Sequence, residues 1–161
     1  MWFYYDANGK RVGFSTYDGT PYYYIYNAMG DVIGMYNYYA DVIYYHYDSW
    51  GKLISMTNAS GAEIQYGSAQ WKVGYENPFR YRGYMYDNIT QLYYLNSRYY
   101  DPETGRFLNA DVVLKVGDDL IGTNLYTYCA NNPVNYIDML GFAHQTIRKG
   151  SKGSEVKLLQ S

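Results

Sequence analysis

Tyrosines at positions 5, 26 and 47 each open the same short phrase, at two successive intervals of 21 residues. The phrases are Tyr5-Asp6-Ala7-Asn8-Gly9-Lys10-Arg11-Val12, Tyr26-Asn27-Ala28-Met29-Gly30-Asp31-Val32-Ile33 and Tyr47-Asp48-Ser49-Trp50-Gly51-Lys52-Leu53-Ile54. An Asp or Asn side chain turns the backbone by bonding to it, and a Gly three residues on supplies a positive φ. Strand-forming runs such as residues 21–26 and 42–47 lie between, and further turns are expected at Asp18-Gly19 and at residues 58–61. A unit this short cannot bury its apolar face alone and must stack on its neighbours. The expected fold is mainly β: antiparallel β-hairpin repeats forming a curved, spiralling sheet with open edges. Such edges invite self-association with another strand.

Composition agrees. Tyrosine accounts for 25 of 161 residues, beside 5 Phe and 3 Trp, and Tyr favours a half-buried pleated surface. With 16 Gly and only 4 Pro, sheet and turns are expected rather than helix. The net charge of −2 gives no electrostatic footprint for nucleic acid or an anionic membrane. No apolar run reaches the ~20 residues of a membrane span, and no signal-peptide layout opens the chain. The start at Met1-Trp2-Phe3-Tyr4 falls in mid-pattern, as if cut from something longer.

Residues 1–66 resemble YD repeats, named for their Tyr-Asp pair. The text then changes. Arg98-Tyr99-Tyr100-Asp101-Pro102 leads to Gly105-Arg106-Phe107, then Asp111, then Asn124-Leu125-Tyr126-Thr127-Tyr128 and Asn131-Asn132-Pro133-Val134-Asn135. In that order these are similar to the RHS repeat-associated core domain, over about residues 78–142. After it, Ile147-Arg148-Lys149-Gly150-Ser151-Lys152-Gly153 and Val156-Lys157-Leu158-Leu159-Gln160 resemble the opening of a peptidoglycan-binding domain. The expected organisation is repeats over 1–76, a capping core segment over 77–142, and a linker with a truncated wall-binding start over 143–161.

The resemblance implies a structural shell or scaffold segment of an exported or cell-surface bacterial protein of the polymorphic toxin type. Its partner would be its own C-terminal segment or toxin cargo, and the tail adds peptidoglycan as a further partner. A second implication is single-turnover self-cleavage, because family members with toxic C-termini act as aspartyl proteases on their own chain. That chemistry needs two carboxylates sharing a proton. Arg106 and Asp111 match the family's arginine and first aspartate, and Asp119 or its neighbour Asp118 is nearest to the second. The cleavage motif Asp-Pro-x-Gly-Leu reads Asp138-Met139-Leu140-Gly141-Phe142 here, so cutting would follow Phe142. Met139 replaces the proline whose fixed φ would rigidify the substrate turn. A third reading, a carbohydrate-binding surface protein, rests on tyrosine density and the tail.

Other groups carry no chemistry in the sequence. His46 and His144 are too few for a metal site, and no cofactor is implied. Cys129 has no flanking base or basic cluster to activate it and reads as a small hydrophobe.

Overall fold

The computed structural model describes residues 1–110, 124–138 and 141, and the backbone of 146–148. It divides into two compact units, Met1–Asp48 with Leu53–Gly83, and Ser49–Lys52 with the chain from Tyr84 onward. Both are built mainly of antiparallel β-structure.

The first unit is a six-stranded antiparallel meander: β1 (Trp2–Tyr5), β2 (Arg11–Ser15), β3 (Pro21–Tyr26), β4 (Val32–Tyr36), β5 (Val42–Tyr47) and β6 (Leu53–Thr57), paired in chain order. Each 21-residue repeat is a hairpin with two loops. The loops begin at Asp6, Thr16, Asn27, Asn37, Asp48 and Asn58, so a second series alternates with the Tyr-Asx series. In Asp6, Asn27, Asn37 and Asn58 the side-chain Oδ1 accepts the backbone N–H groups two and four residues on, at 2.9–3.1 Å. The fourth loop residue is left-handed throughout: Gly9, Gly19, Gly30, Gly51 and Gly61, but Ala40 at φ +65° in the loop that the sequence did not flag.

Pairing carries a fixed stagger. Tyr4 stands opposite Gly13 and Gly13 opposite Tyr23, whereas the residue equivalent to Tyr4 one repeat later is Ile25. Successive hairpins are thus offset by two residues, about 6.6 Å along the strand for about 9.6 Å across two strand spacings. The offset is even, so every side chain keeps its face. One bulge per hairpin, at Tyr4/Tyr5, Ile25/Tyr26 and His46/Tyr47, accompanies the stagger.

The bulges explain why the repeat uses Tyr rather than Phe. The β2–β3 ladder stops at Gly13↔Tyr23, and beyond it the Tyr26 hydroxyl donates to the Arg11 carbonyl at 2.8 Å. One repeat on, beyond Gly34↔Tyr44, the Tyr47 hydroxyl donates to the Val32 carbonyl at 2.9 Å. A side chain replaces the missing ladder bond at the same place in two successive repeats.

The inner face buries Phe14, Tyr22, Tyr24, Met35, Ile43, Tyr45 and Met56. Across it lies α1 (Ala69–Glu76), a helix that composition did not lead us to expect. Ser68 caps it, its Oγ accepting from Trp71 N at 3.1 Å. Gly74 brings the helix close to the sheet, since a Cβ there would lie 2.7 Å from Met56 Sδ. The Gly74 carbonyl accepts from the Tyr45 hydroxyl at 2.7 Å, and Asn77 Oδ1 from the Tyr24 hydroxyl at 2.6 Å. A core made of tyrosines is thereby satisfied at its polar tips. Burial nonetheless pushes the Tyr45 phenol up to about 12.

The second unit holds a four-stranded sheet ordered β10-β9-β8-β7, from β7 (Met85–Asp87), β8 (Leu92–Tyr94), β9 (Tyr99–Asp101) and β10 (Arg106–Phe107). Asp87 and Asp101 act as turn residues, accepting from Ile89 N at 2.9 Å and Glu103 N at 2.8 Å. Tyr93, Tyr100, Phe107 and Tyr128 form its buried aromatic stack, with the Tyr100 and Tyr128 rings 4.1 Å apart. A separate pair, β11 (Tyr136–Asp138) and β12 (Thr146–Arg148), sets Asp138 opposite Thr146.

Candidate functional site

Strand alternation directs Tyr93 and Leu95 inward on one arm of the β8–β9 hairpin, and Arg98 and Tyr100 inward on the other. An arginine therefore enters an aromatic core, with 3% of the residue exposed. Its guanidinium carbon lies 3.5 Å from the Phe107 ring centroid, a cation–π contact in a dry setting.

Around it gather the parts of the motif at 138–141 that the structure describes. Arg98 Nη2 reaches Asp138 Oδ2 at 3.3 Å, Nη1 donates to the Leu125 carbonyl at 2.9 Å, and Nε donates to the Gly141 carbonyl. The Ser97 hydroxyl donates to that same Gly141 carbonyl at 2.7 Å. Asp138 is 1% exposed, and its carbonyl accepts from the Tyr84 hydroxyl at 2.5 Å. Tyr84 and Tyr128 hydroxyls are 3.3 Å apart. Gly141 sits at φ +73°, where a Cβ would fall 2.5 Å from Ser97 Oγ and 2.6 Å from the Leu95 carbonyl. Only glycine fits both the conformation and the space.

The chemistry of this arrangement is immobilisation. A buried ion pair contributes little net stability, but removing one partner strands a charge at a cost of about 3–5 kcal/mol. Arg98 fixes the Asp138 carboxylate and the Gly141 backbone carbonyl on the hairpin, while the Tyr84 hydroxyl holds the Asp138 carbonyl. Among the described residues no group of three His, Cys, Asp or Glu converges as a metal site.

Asp138 and Gly141 are thus brought together. Arg106 is exposed on β10, where its backbone pairs with Asp101 and bridges to Thr127. Asp111, Asp118, Asp119, Met139 and Phe142 lie outside the described residues. Sequence reasoning passed over Arg98, Ser97 and Tyr84. The available signal was parity: Arg98 shares its face with Tyr100, two residues on.

No family model matches the chain. Over 63 residues it is 48% identical to the tRNA(Glu)-specific nuclease WapA of Bacillus subtilis subsp. natto, covering 39% of this chain and 3% of that protein. Over 68 residues it is 41% identical to the double-stranded DNA deaminase toxin A of Burkholderia cenocepacia, covering 42% of this chain and 4% of the toxin. The chain therefore spans only a few per cent of these relatives. Among solved structures, that of TcdB2-TccC3 without hypervariable C-terminal region superposes with a TM-score of 0.65 over 87% of this chain and 6% of that one, at 23% identity. The chain shares the β fold of that structure and resembles, over two fifths of its length, short segments of a much longer tRNA nuclease and a much longer DNA deaminase toxin.

Proposed function

We propose that this chain is the closing stretch of an RHS/YD-repeat scaffold in an exported or cell-surface bacterial protein. In this reading the repeats supply wall, and the second unit anchors and presents the segment that follows residue 142. The observation that carries the reading is the Arg98 cluster, which ties the Asp138 carboxylate and the Gly141 backbone carbonyl to the β8–β9 hairpin through donors on Ser97 and Arg98. An anchor of this kind suits a protein that must hold a departing chain in one place. The toxin relatives fit a scaffold shared by proteins with different activities, since a nuclease and a deaminase both match it. Protease protection tests the proposal in the longer protein that carries this chain. The segment after residue 142 should resist trypsin when the repeats are intact and become sensitive when they are truncated. Equal sensitivity in both would contradict it.

Self-cleavage after Phe142 is the second reading, favoured by the same fixed placement of Asp138 and Gly141. Its acid–base pair would be Asp111 with Asp119 or Asp118, and Arg98 would position the substrate turn in place of the proline missing at Met139. Intact mass of the chain extended beyond Ser161 tests this. Loss of the extension in wild type but not in Asp111→Asn supports cleavage, and an uncut chain in both removes it.

A further inference from the structure

The first unit contains a cleft that the scaffold reading does not use. It lies between α1 and the loops beginning at Thr16 and Asn37 and encloses about 530 Å³, within the roughly 300–1,000 Å³ typical of small-ligand sites. Tyr22, 5% exposed, forms part of its buried lining. Tyr17 and Tyr39 line it from neighbouring loops and are 88% and 79% exposed. Rings so exposed contribute almost nothing to the core. The loop geometry does not require them either, because Asp18 and Ser60 occupy the loop position of Tyr39 in the adjacent repeats and Ala59 that of Tyr17 two repeats on.

The polar lining has a sign. Asp18, Asp41 and Glu76 face a single amine, Lys72. The two loop carboxylates are held in place: Asp18 Oδ1 accepts from Thr20 N at 3.0 Å, and Asp41 accepts from Asn37 Nδ2 and Gln70 Nε2, both at 3.1 Å. Each carboxylate oxygen can accept more than one hydrogen bond, so positioned acceptors remain. Lys72 stands 3.9 Å from Glu76 and is 70% exposed, which leaves the loop carboxylates unmatched by it.

From this geometry we infer that the cleft binds an amino sugar bearing a free ammonium, as one unit of a polysaccharide. The exposed tyrosine faces stack on the apolar face of a pyranose ring. The amides, hydroxyls and carboxylates meet its hydroxyls, and the carboxylate excess with the tyrosine π-faces takes the ammonium. An anion is opposed by the charge. A neutral sugar meets the carboxylates through its hydroxyls but leaves their net charge uncompensated, and a lysine-rich peptide leaves the hydroxyl-matching groups unused. The inference stands independently of the scaffold proposal.

Titration calorimetry of the chain against a glucosamine tetramer, its fully N-acetylated counterpart and tetralysine tests it. The glucosamine tetramer should bind at least tenfold more tightly than either alternative. Tyr17→Ala with Tyr39→Ala should weaken that binding at least tenfold at unchanged Tm, and Asp18→Asn should narrow the preference over the N-acetylated tetramer. Equal or tighter binding of the N-acetylated tetramer or tetralysine, no saturable glucosamine binding, or indifference to the double substitution overturns the inference.

Discussion

Along the repeat strip, a tyrosine hydroxyl meets a carbonyl 15 residues back, Tyr26 to Arg11 and Tyr47 to Val32. In the second unit no such fixed spacing recurs: Tyr93 reaches Gly51, Tyr100 Trp50, Tyr84 Asp138 and Arg98 Gly141. The strip gains its order from one short rule applied three times, so its stability is shared among equivalent contacts. The second unit instead depends on a few side chains that bridge 42 to 54 residues of sequence. Substitutions should therefore cost little and predictably in the strip, and much at a few points in the second unit.

The largest expected effect is Arg98→Ala, which removes the ion-pair partner of Asp138 and one of the two donors to the Gly141 carbonyl. Denaturant unfolding should show a loss of about 3–5 kcal/mol in the second unit. Arg98→Met, which fills the space without the charge, should be no less damaging while Asp138 remains, and Arg98→Met with Asp138→Leu should recover part of the loss. Next comes Asn77→Ala in the first unit, which removes the partner of Tyr24 and a donor to the Phe79 carbonyl. Leaving buried polar groups unanswered should cost about 1–3 kcal/mol. Tyr26→Phe and Tyr47→Phe should each cost about 1 kcal/mol. Tyr5→Phe, at the equivalent position but 55% exposed, should cost almost nothing. If all three behave alike, the repeat-to-repeat hydroxyl bond is not what selects tyrosine. Smallest is a gain: Ala40→Gly should relieve the left-handed strain at φ +65° and raise stability by about 0.5–1 kcal/mol, read as an increase in Tm.

The Tyr-Asx-x-x-Gly phrase was legible because its turn chemistry lies within five residues of sequence. Its companion loop at Asn37 was not, because Ala40 occupies the place that Gly19 and Gly61 fill in the neighbouring repeats. The helix α1 was hidden by Gly74, which weakens helix propensity and whose purpose, close approach to Met56, is visible only in the packed unit. At the candidate site, Asp138 and Gly141 were read from family resemblance, but their partner was not. Arg98 sits in a tyrosine-rich run, and nothing local announces an arginine that turns inward. A carbonyl 43 residues away is beyond any periodicity argument.

Native-state hydrogen exchange on wild type and Arg98→Ala tests the contrast between the two units most directly. The account predicts that amides of β8, β9 and β11 lose protection together in the variant, while those of β2–β5 keep wild-type rates. Protection lost evenly across both units, or retained at Asp138 and Gly141, would contradict it.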